Sequence, residues 1–183
     1  MLTLNFHPFP VLCTQRLTLR SITLDDAAAL YSLRTNPLVL KYLDRAMPSS
    51  IEEVVTQINN IQTMQLSNQA ISWAITLNGK HDMIGTIGYW KITSEHYRAE
   101  IGYTLSPNYH GKGIMYEALC TVLQHGFKEM KLHSVEANVN PGNDASKGLL
   151  EKTGFVQEAY FKENYYYNGK FLDSAIYSLI APN

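Results

Sequence analysis

The hydrophobic pattern of this chain changes several times between period two and helical spacing, and this change limits the possible folds more than any other feature. Apolar and polar residues alternate in residues 71–77, which is typical of a half-buried strand. Apolar residues recur three and four positions apart in residues 51–61 and 114–131, as on one face of an amphipathic helix. Both patterns in one chain predict a mixed α/β or α+β domain.

Turn and cap signals place the other elements. Asn-Gly pairs at 78–79 and 168–169 predict hairpin turns, and Gly154 is a typical helix C-cap residue. Ser49 and Glu52 have the spacing of a capping box that starts the second helix. The predicted strands are residues 15–22, 71–77, 83–90, 98–105, 133–139, 155–167 and 170–180, and the predicted helices are residues 24–35, 51–61, 114–131 and 144–153. The order β-α-α-β-β-β-α-β-α-β-β, without a linker or a repeat, predicts one domain over residues 1–183.

Composition excludes several classes of function. The 183 residues include 15 Lys and Arg against 16 Asp and Glu, a net charge of −1, so no basic surface for nucleic acid is expected. Cys13 and Cys120 lack the spacing of a metal or redox motif. No apolar run is long enough to span a membrane, and residues 1–12 lack the pattern of a signal peptide. We expect a cytoplasmic protein without a metal, either a monomer or a homodimer.

A glycine-rich loop, residues 109–113, lies between a predicted strand and a long predicted helix. Backbone amides at a helix N-terminus attract anions, and Gly111 and Gly113 allow a ligand to approach the backbone closely. The loop differs from a nucleoside-triphosphate P-loop because Ser106 stands at the first glycine position, and from a dinucleotide motif because Tyr116 stands at the last. The loop therefore predicts either an anion site of another kind or a simple turn.

Several separated motifs together resemble the GNAT acetyltransferases, and most closely the branch that acetylates the N-terminal residues of ribosomal proteins. These motifs are residues 100–103, 110–113, 143–146 and 151–155. The resemblance covers about residues 14–180, nearly the whole chain. It implies a GNAT fold, which is a mixed, mostly antiparallel sheet of about seven strands flanked by helices.

The resemblance implies acetyl-CoA as co-substrate and no metal. The family pattern consists of Gln or Arg, any two residues, Gly, any one residue, and then Gly or Ala. Its matching positions here are His110, Gly113 and Met115, and only the glycine is kept. Backbone amides hold the pyrophosphate in this family, so the departures leave the binding mode available. Asn143 can alternatively serve only as a helix cap. The residues expected to bind the cofactor are Tyr103, Thr104, Leu105, His110, Gly111, Lys112, Gly113, Ile114, Met115, Asn140, Asn143 and Ser146.

Acetyl transfer needs a proton donor for the departing thiolate. Many GNAT enzymes use a tyrosine four residues before the Gly-Phe pair, but Leu150 stands there in this chain. Ser146 resembles the serine that the ribosomal-protein branch uses, and its hydroxyl is the expected acid. The alternative is an ordinary helix serine that bonds to its own backbone.

Transfer also needs a base that deprotonates the amine. Glu100, on a central strand, is the strongest candidate, although it could instead face solvent or pair with Arg98. In the ribosomal-protein branch the base is a glutamate near the last hairpin, and the matching position here is Tyr165, with Glu163 two residues away. Aromatic residues around Tyr165 could line an acceptor cleft or simply pack on the sheet. The base therefore stays open between these positions and an ordered water.

The sequence as a whole predicts an acetyl-CoA-dependent transferase that acts on a primary amine, with a protein N-terminus favoured by the resemblance. Small amines, such as polyamines, antibiotics or amino acids, are alternative acceptors because one fold serves many substrates. A non-catalytic module that binds acyl-CoA is a second class of function. A structural domain in which the glycine loop is only a turn is a third.

Overall fold

The computed structural model describes residues 1–182 and has an eight-stranded sheet at its centre. The strands are β1 (Leu12–Cys13), β2 (Leu17–Ser21), β3 (Ile71–Leu77), β4 (Gly85–Thr93), β5 (Arg98–Leu105), β6 (Ser134–Val139), β7 (Val156–Tyr167) and β8 (Lys170–Ile180). The helices are α1 (Ala27–Thr35), α2 (Pro37–Leu40), α3 (Ile51–Leu66), α4 (Ile114–Lys128) and α5 (Asp144–Lys152). None of the helices in the described residues has the length and apolar character needed to cross a membrane.

The strand order is β1-β2-β3-β4-β5-β6-β8-β7, and every neighbouring pair is antiparallel except β5 and β6. The parallel pair needs a crossover, which α4 supplies. The predicted mixed, mostly antiparallel sheet is confirmed. It has one strand more than the sequence pattern indicates because Leu12 and Cys13 pair with the first predicted strand.

Helices cover both faces of the sheet. Trp73 and Ile75 belong to the larger apolar cluster, together with Leu119 of α4. Ala74 lies between these two strand residues and belongs to a second cluster, which contains Leu30 of α1. Because side chains of a strand alternate between faces, α4 covers one face of the sheet and α1 with α3 covers the other.

Strand β5 separates from β6 after its first three residues. Residues 98–100 pair with residues 134–136, and beyond them β5 pairs only with β4. The remainder of β5, residues 101–105, therefore borders an open gap. Backbone groups that face this gap lack a strand partner, and a ligand can bind them.

The register shows which backbone groups face the gap. The Ser106 N–H donates to the Ile84 carbonyl at 2.8 Å, which makes these two residues a hydrogen-bonded pair of the ladder that continues β4 and β5. Hydrogen-bonded and non-hydrogen-bonded pairs alternate along an antiparallel ladder. The backbone groups of Thr104 consequently face β4, whereas those of Tyr103 and Leu105 face the gap.

The capping box of α3 is shifted by one residue from the prediction. Ser50 is the N-cap and its hydroxyl accepts from the Glu53 N–H at 3.4 Å, while the Glu53 carboxylate accepts from the Ser49 N–H at 2.8 Å. The Ser49 and Glu52 box is therefore wrong, because Glu53 is the residue whose side chain bonds back.

The Asn-Pro pair at residues 36–37 ends α1, as predicted, and also starts the short helix α2, which the sequence pattern missed. The Asn36 side chain accepts from the Leu38 N–H at 2.9 Å, and Pro37 occupies the first turn. This arrangement is a capped helix start. It places Leu38 and Val39 opposite the glycine loop, where they line a cavity.

Candidate active site

Two cavities meet beside the free half of β5. The first, here called the loop cavity, has a volume of about 590 Å³ and lies between α2, the glycine loop and α5. The second, the sheet cavity, has a volume of about 630 Å³ and lies over β4 and β5. Tyr42, Leu43, Tyr103 and Thr104 line both cavities. A molecule in the loop cavity can therefore contact a molecule in the sheet cavity at Tyr103.

The glycine loop has a backbone conformation that requires its glycines. Gly111 and Gly113 have φ values of 70° and 71°, in the left-handed region that other residues adopt at a cost of about 1–2 kcal/mol. Arg16 holds the loop from outside, because its guanidinium donates to the Lys112 carbonyl at 2.9 Å and pairs with Glu117 at 2.6 Å. The loop thus reaches the N-terminus of α4 in a fixed conformation, and Gly111, Gly113 and Ile114 line the cavity.

Most of the residues predicted to bind a cofactor line the loop cavity. The exceptions are Lys112 and Asn140. The Lys112 ammonium donates to the Asn108 carbonyl at 2.8 Å, so only its backbone belongs to the loop. Asn140 lines the sheet cavity instead, and its side-chain oxygen accepts from the Gly142 N–H at 2.9 Å.

Two predicted cofactor side chains organise the loop cavity from within. A ring nitrogen of His110 lies 3.0 Å from the Leu105 carbonyl, so this gap-facing carbonyl already has a partner. The Asn143 side chain accepts from the Ser146 N–H at 3.1 Å and caps α5. Asn143 therefore performs the helix-capping role and also borders the cavity. The Leu105 N–H and the Tyr103 backbone groups remain as the gap-facing groups for a ligand.

The Ser146 and Tyr103 hydroxyls lie together beside the loop cavity, which both residues line. Their oxygens are 2.7 Å apart, within hydrogen-bond distance. Burial raises the pKa of the Tyr103 hydroxyl to about 12, although the Ser146 contact partly offsets this effect. Leu150, at the position of the usual family acid, is completely buried. The expectation from sequence considered only the Tyr103 backbone, and no local pattern relates positions 103 and 146.

Glu100 lines the sheet cavity and is half-buried. Burial raises the pKa of its carboxyl group, and the positive charge of Lys91 partly offsets the rise. Arg98 forms its ion pair with Glu136 rather than with Glu100. Trp90, at a bulge where the β4 register shifts, lines the same cavity. Glu100 is thus a carboxylate held in the cavity without a direct ion pair.

Tyr165 also lines the sheet cavity, and its hydroxyl donates to the Asp44 carboxylate. Burial and the Asp44 charge raise the pKa of the Tyr165 hydroxyl, which keeps it protonated at neutral pH. Glu163 is exposed at a bulge of β7, and it lines neither cavity. The neighbouring aromatic residues also lie outside both cavities; they are Tyr160, Phe161, Tyr166 and Tyr167.

Within residues 1–182, no three His, Cys, Asp or Glu side chains lie close enough to form a metal site. The groups that line the two cavities include backbone amides, hydroxyls and carboxylates. Amides that face a gap, a glycine loop at a helix N-terminus and a hydroxyl pair beside the loop cavity are features that suit an acyltransferase.

Comparison with known proteins agrees with this class. The model of the acetyltransferase (GNAT) domain matches residues 16–156. The chain therefore belongs to the GNAT acetyltransferase family, as its motifs indicate.

Curated relatives and solved structures resemble the chain over most of its length. It is 34% identical to the uncharacterized N-acetyltransferase YoaA of Bacillus subtilis, over 95% of this chain and 98% of that protein. It is 28% identical to the ribosomal protein uS5 alanine N-acetyltransferase of Escherichia coli, over 56% of this chain and 53% of that one. A structure of RimL, a ribosomal L7/L12 α-N-protein acetyltransferase in complex with coenzyme A, has the same fold, with a TM-score of 0.85 and 22% identity. The match covers 93% of this chain and 98% of that one.

Proposed function

We propose that this protein transfers the acetyl group of acetyl-CoA to a primary amine, with the N-terminus of a protein as the favoured acceptor. The observation that carries the proposal is the junction of the two cavities at Tyr103, beside the unpaired half of β5. The loop cavity is lined by the glycine loop and the start of α4, whose amides would hold a CoA thioester. The sheet cavity is lined by Glu100, whose carboxylate would face the acceptor.

The cofactor would bind mainly through backbone groups. The pyrophosphate would accept from the amides of residues 111–115 at the start of α4, where the helix dipole favours negative charge. The pantetheine arm would extend along β5 and bond to the backbone groups of Tyr103 and to the Leu105 N–H. An amide of this strand would also donate to the thioester carbonyl and stabilise the oxyanion of the tetrahedral intermediate.

Glu100 would act as the base. An alkylammonium group must lose a proton before its nitrogen can attack, and the Glu100 carboxylate can take that proton directly or through a water. The raised pKa makes Glu100 a stronger base than an exposed glutamate. Tyr165 is unsuited to this step because it is protonated and already donates to Asp44.

Ser146 and Tyr103 together would supply the acid. The amine nitrogen forms a bond to the thioester carbon, the carbon–sulfur bond then breaks, and the thiolate takes a proton from this hydroxyl pair. The proton that the attacking nitrogen must lose leaves through water and restores the pair. A serine hydroxyl alone is a weak acid, but Ser146 can replace its lost proton from Tyr103 at 2.7 Å. The pair performs the role for which many family members use the tyrosine replaced here by Leu150.

The favoured acceptor is inferred from two similar proteins. One is named as an alanine N-acetyltransferase of ribosomal protein uS5, and the other as an α-N-protein acetyltransferase of ribosomal L7/L12. Small amines are the second candidate, since another relative is the spermidine N(1)-acetyltransferase of Vibrio cholerae, 23% identical over 158 residues. The sheet cavity offers both carboxylates and an arginine, so its charge does not match a polycation alone.

The first experiment is calorimetric titration of the protein with acetyl-CoA, followed by measurement of thiol release with a panel of peptides and small amines. We expect micromolar binding, about −8 kcal/mol, and thiol release with an amine-bearing acceptor. Binding without thiol release for every amine would favour the non-catalytic module. No binding by the folded protein would leave only the structural class.

The acid assignment has its own test. We expect Ser146→Ala and Tyr103→Phe each to lower kcat by at least tenfold, and the double variant to be no slower than the slower single one, because the two hydroxyls act as a unit. Tyr160→Phe is the matched control, since Tyr160 is exposed and lies outside both cavities. Independent losses that multiply in the double variant would contradict a shared proton path.

A further inference from the structure

Two of the five arginines differ from the other three in their surroundings. Arg16, Arg20 and Arg98 each form an ion pair with a carboxylate. Arg34 and Arg45 have no ion pair and no hydrogen bond from the guanidinium within residues 1–182. These two guanidinium groups are therefore positive charges without a counter-charge in the described part of the chain.

Arg45 lies at the proposed acceptor side of the site, and Arg34 is a second positive charge near it. Arg45 lines the sheet cavity, together with Glu100. Arg34 lies in the last turn of α1 and is half-buried. Burial, and then the nearby positive charge of Arg45, lower the pKa of Arg34 to about 10, so both groups stay charged at neutral pH. Arg45 is exposed, so an anion from solution can reach it, whereas the half-buried Arg34 guanidinium has no ion pair in the described part of the chain.

The nearest carboxylate in sequence does not neutralise Arg45. Asp44 is its neighbour, but the two form no ion pair, and the Asp44 carboxylate accepts a hydrogen bond from the Tyr165 hydroxyl. Asn138 and Asn140, which also line the sheet cavity, add neutral amide groups without changing its charge. The cavity thus contains two carboxylates, those of Asp44 and Glu100, and one guanidinium without an ion pair in the described residues.

We infer that Arg45, supported by Arg34, forms a subsite for an anionic group, a carboxylate or a phosphate, carried by the acceptor amine. The inference rests on the proposed function and specifies its substrate: an amine with a negative charge close to the reacting nitrogen. Glu100 would receive the ammonium end and Arg45 the anionic end. Guanidinium groups match both anions with paired hydrogen bonds. In a peptide, the required charge is an acidic or phosphorylated residue next to the N-terminus.

The phosphates of the cofactor are not the natural occupants of this subsite. Arg45 is absent from the lining of the loop cavity, and the proposed pyrophosphate position is at the start of α4. A substitution of Arg45 should therefore change the recognition of the acceptor and leave acetyl-CoA affinity unchanged. This separation allows the anion subsite to be tested apart from the cofactor site.

The experiment compares matched acceptor peptides that differ only at the second residue: aspartate, asparagine, phosphoserine and serine. Wild type should acetylate the aspartate or the phosphoserine peptide with a kcat/KM at least tenfold higher than the neutral partner, mainly through a lower KM. Arg45→Gln should reduce this ratio to about one, and Arg45→Lys should retain part of it. The aspartate and phosphoserine arms distinguish a carboxylate from a phosphate as the ligand.

A second readout does not depend on turnover. Inorganic phosphate should raise the Tm of wild type at constant ionic strength, and it should have less effect on Arg45→Gln. Equal kcat/KM for charged and neutral peptides, together with no effect of phosphate, would overturn the anion subsite while thiol release continued. Failure of the proposed function is a different result, namely no thiol release from any peptide by a protein that binds acetyl-CoA.

Discussion

The two cavities of this protein are built in different ways, although they share a wall at Tyr103. The loop cavity owes its character to backbone geometry, with two glycines in the left-handed region and a strand that separates from its neighbour. The sheet cavity owes its character to side chains, among them Asp44, Arg45 and Glu100. Backbone geometry suits a ligand that is the same for a whole family, whereas side chains distinguish one acceptor from another.

The difference predicts that substitutions will fall into two classes. Changes in the loop cavity should alter acetyl-CoA affinity for every acceptor. Changes in the sheet cavity should alter turnover or acceptor KM and leave acetyl-CoA affinity as it is. A change that alters both would show that the two cavities depend on each other beyond Tyr103.

The largest effect is expected from Glu100→Gln. Loss of the proposed base should lower kcat by about 10²- to 10⁴-fold, with an unchanged Kd for acetyl-CoA in calorimetry. In wild type, kcat should rise with pH as Glu100 loses its proton, and the midpoint should lie above that of an ordinary glutamate because its pKa is raised. The variant should lose this limb of the pH profile.

A matched control for the base is Glu95→Gln, since Glu95 is exposed and lies outside both cavities. Its kcat and pH profile should equal those of wild type. If Glu100→Gln keeps the wild-type kcat across the pH range, the Glu100 carboxylate is not the base. The amine proton would then leave to an ordered water.

A smaller effect is expected from Gly113→Val, and it should change acetyl-CoA affinity rather than kcat. A β-branched residue is strained at φ 71° and its Cβ would lie 3.5 Å from the Arg16 guanidinium, so the loop should change conformation and turn its amides away from the pyrophosphate. We expect the Kd for acetyl-CoA to rise about tenfold, since 1–2 kcal/mol of strain falls on the binding loop. Calorimetry at several temperatures measures this change.

Gly79→Val is the matched control, because it shows whether backbone strain elsewhere in the fold also weakens acetyl-CoA binding. Gly79 has φ 72°, nearly the same as Gly113, and open space around it, but it lies in the hairpin between β3 and β4, outside both cavities. Its variant should lose similar stability and keep wild-type acetyl-CoA affinity. Equal loss of affinity in both variants would mean that strain alone weakens binding.

The smallest effect is expected from Tyr165→Phe. Removal of the hydroxyl frees the Asp44 carboxylate that it now holds, and a hydrogen bond of this kind contributes about 1 kcal/mol. Acceptor KM should change by less than tenfold, while kcat and acetyl-CoA affinity stay the same. Steady-state kinetics with one acceptor at saturating acetyl-CoA would show this, and a large fall in kcat would instead give Tyr165 a direct role in the chemistry.

The sequence predicts the loop cavity better than the sheet cavity, and the reason is physical. The glycines, the helix start and the preceding strand are local signals, so residues 103–105 and 110–115 are brought together by elements that are consecutive in the chain. The sheet cavity combines Asp44, Glu100 and Tyr165, whose separation in sequence leaves no spacing to detect. Their proximity depends on the order of the strands in the sheet.

The predictions that differ from the structure have similar causes. Glu163 shares a strand face with Tyr165 only if β7 is regular, but a bulge between Phe161 and Tyr165 changes the register. Asn140 lies beside the other cavity because β5 and β6 diverge before its position. Bulges and diverging strands depend on packing across the sheet, which a single sequence does not display.

The contact between Arg16 and the glycine loop links the first strands of the fold to the start of α4, about a hundred residues later. Local unfolding of the β1–β2 edge would release the Lys112 carbonyl, and the loop would lose its support. A ligand that requires the ordered loop must then oppose this unfolding in proportion to its occupancy. Cofactor binding beside β5 and hydrogen-exchange protection at the β1–β2 edge would therefore be parts of a single equilibrium.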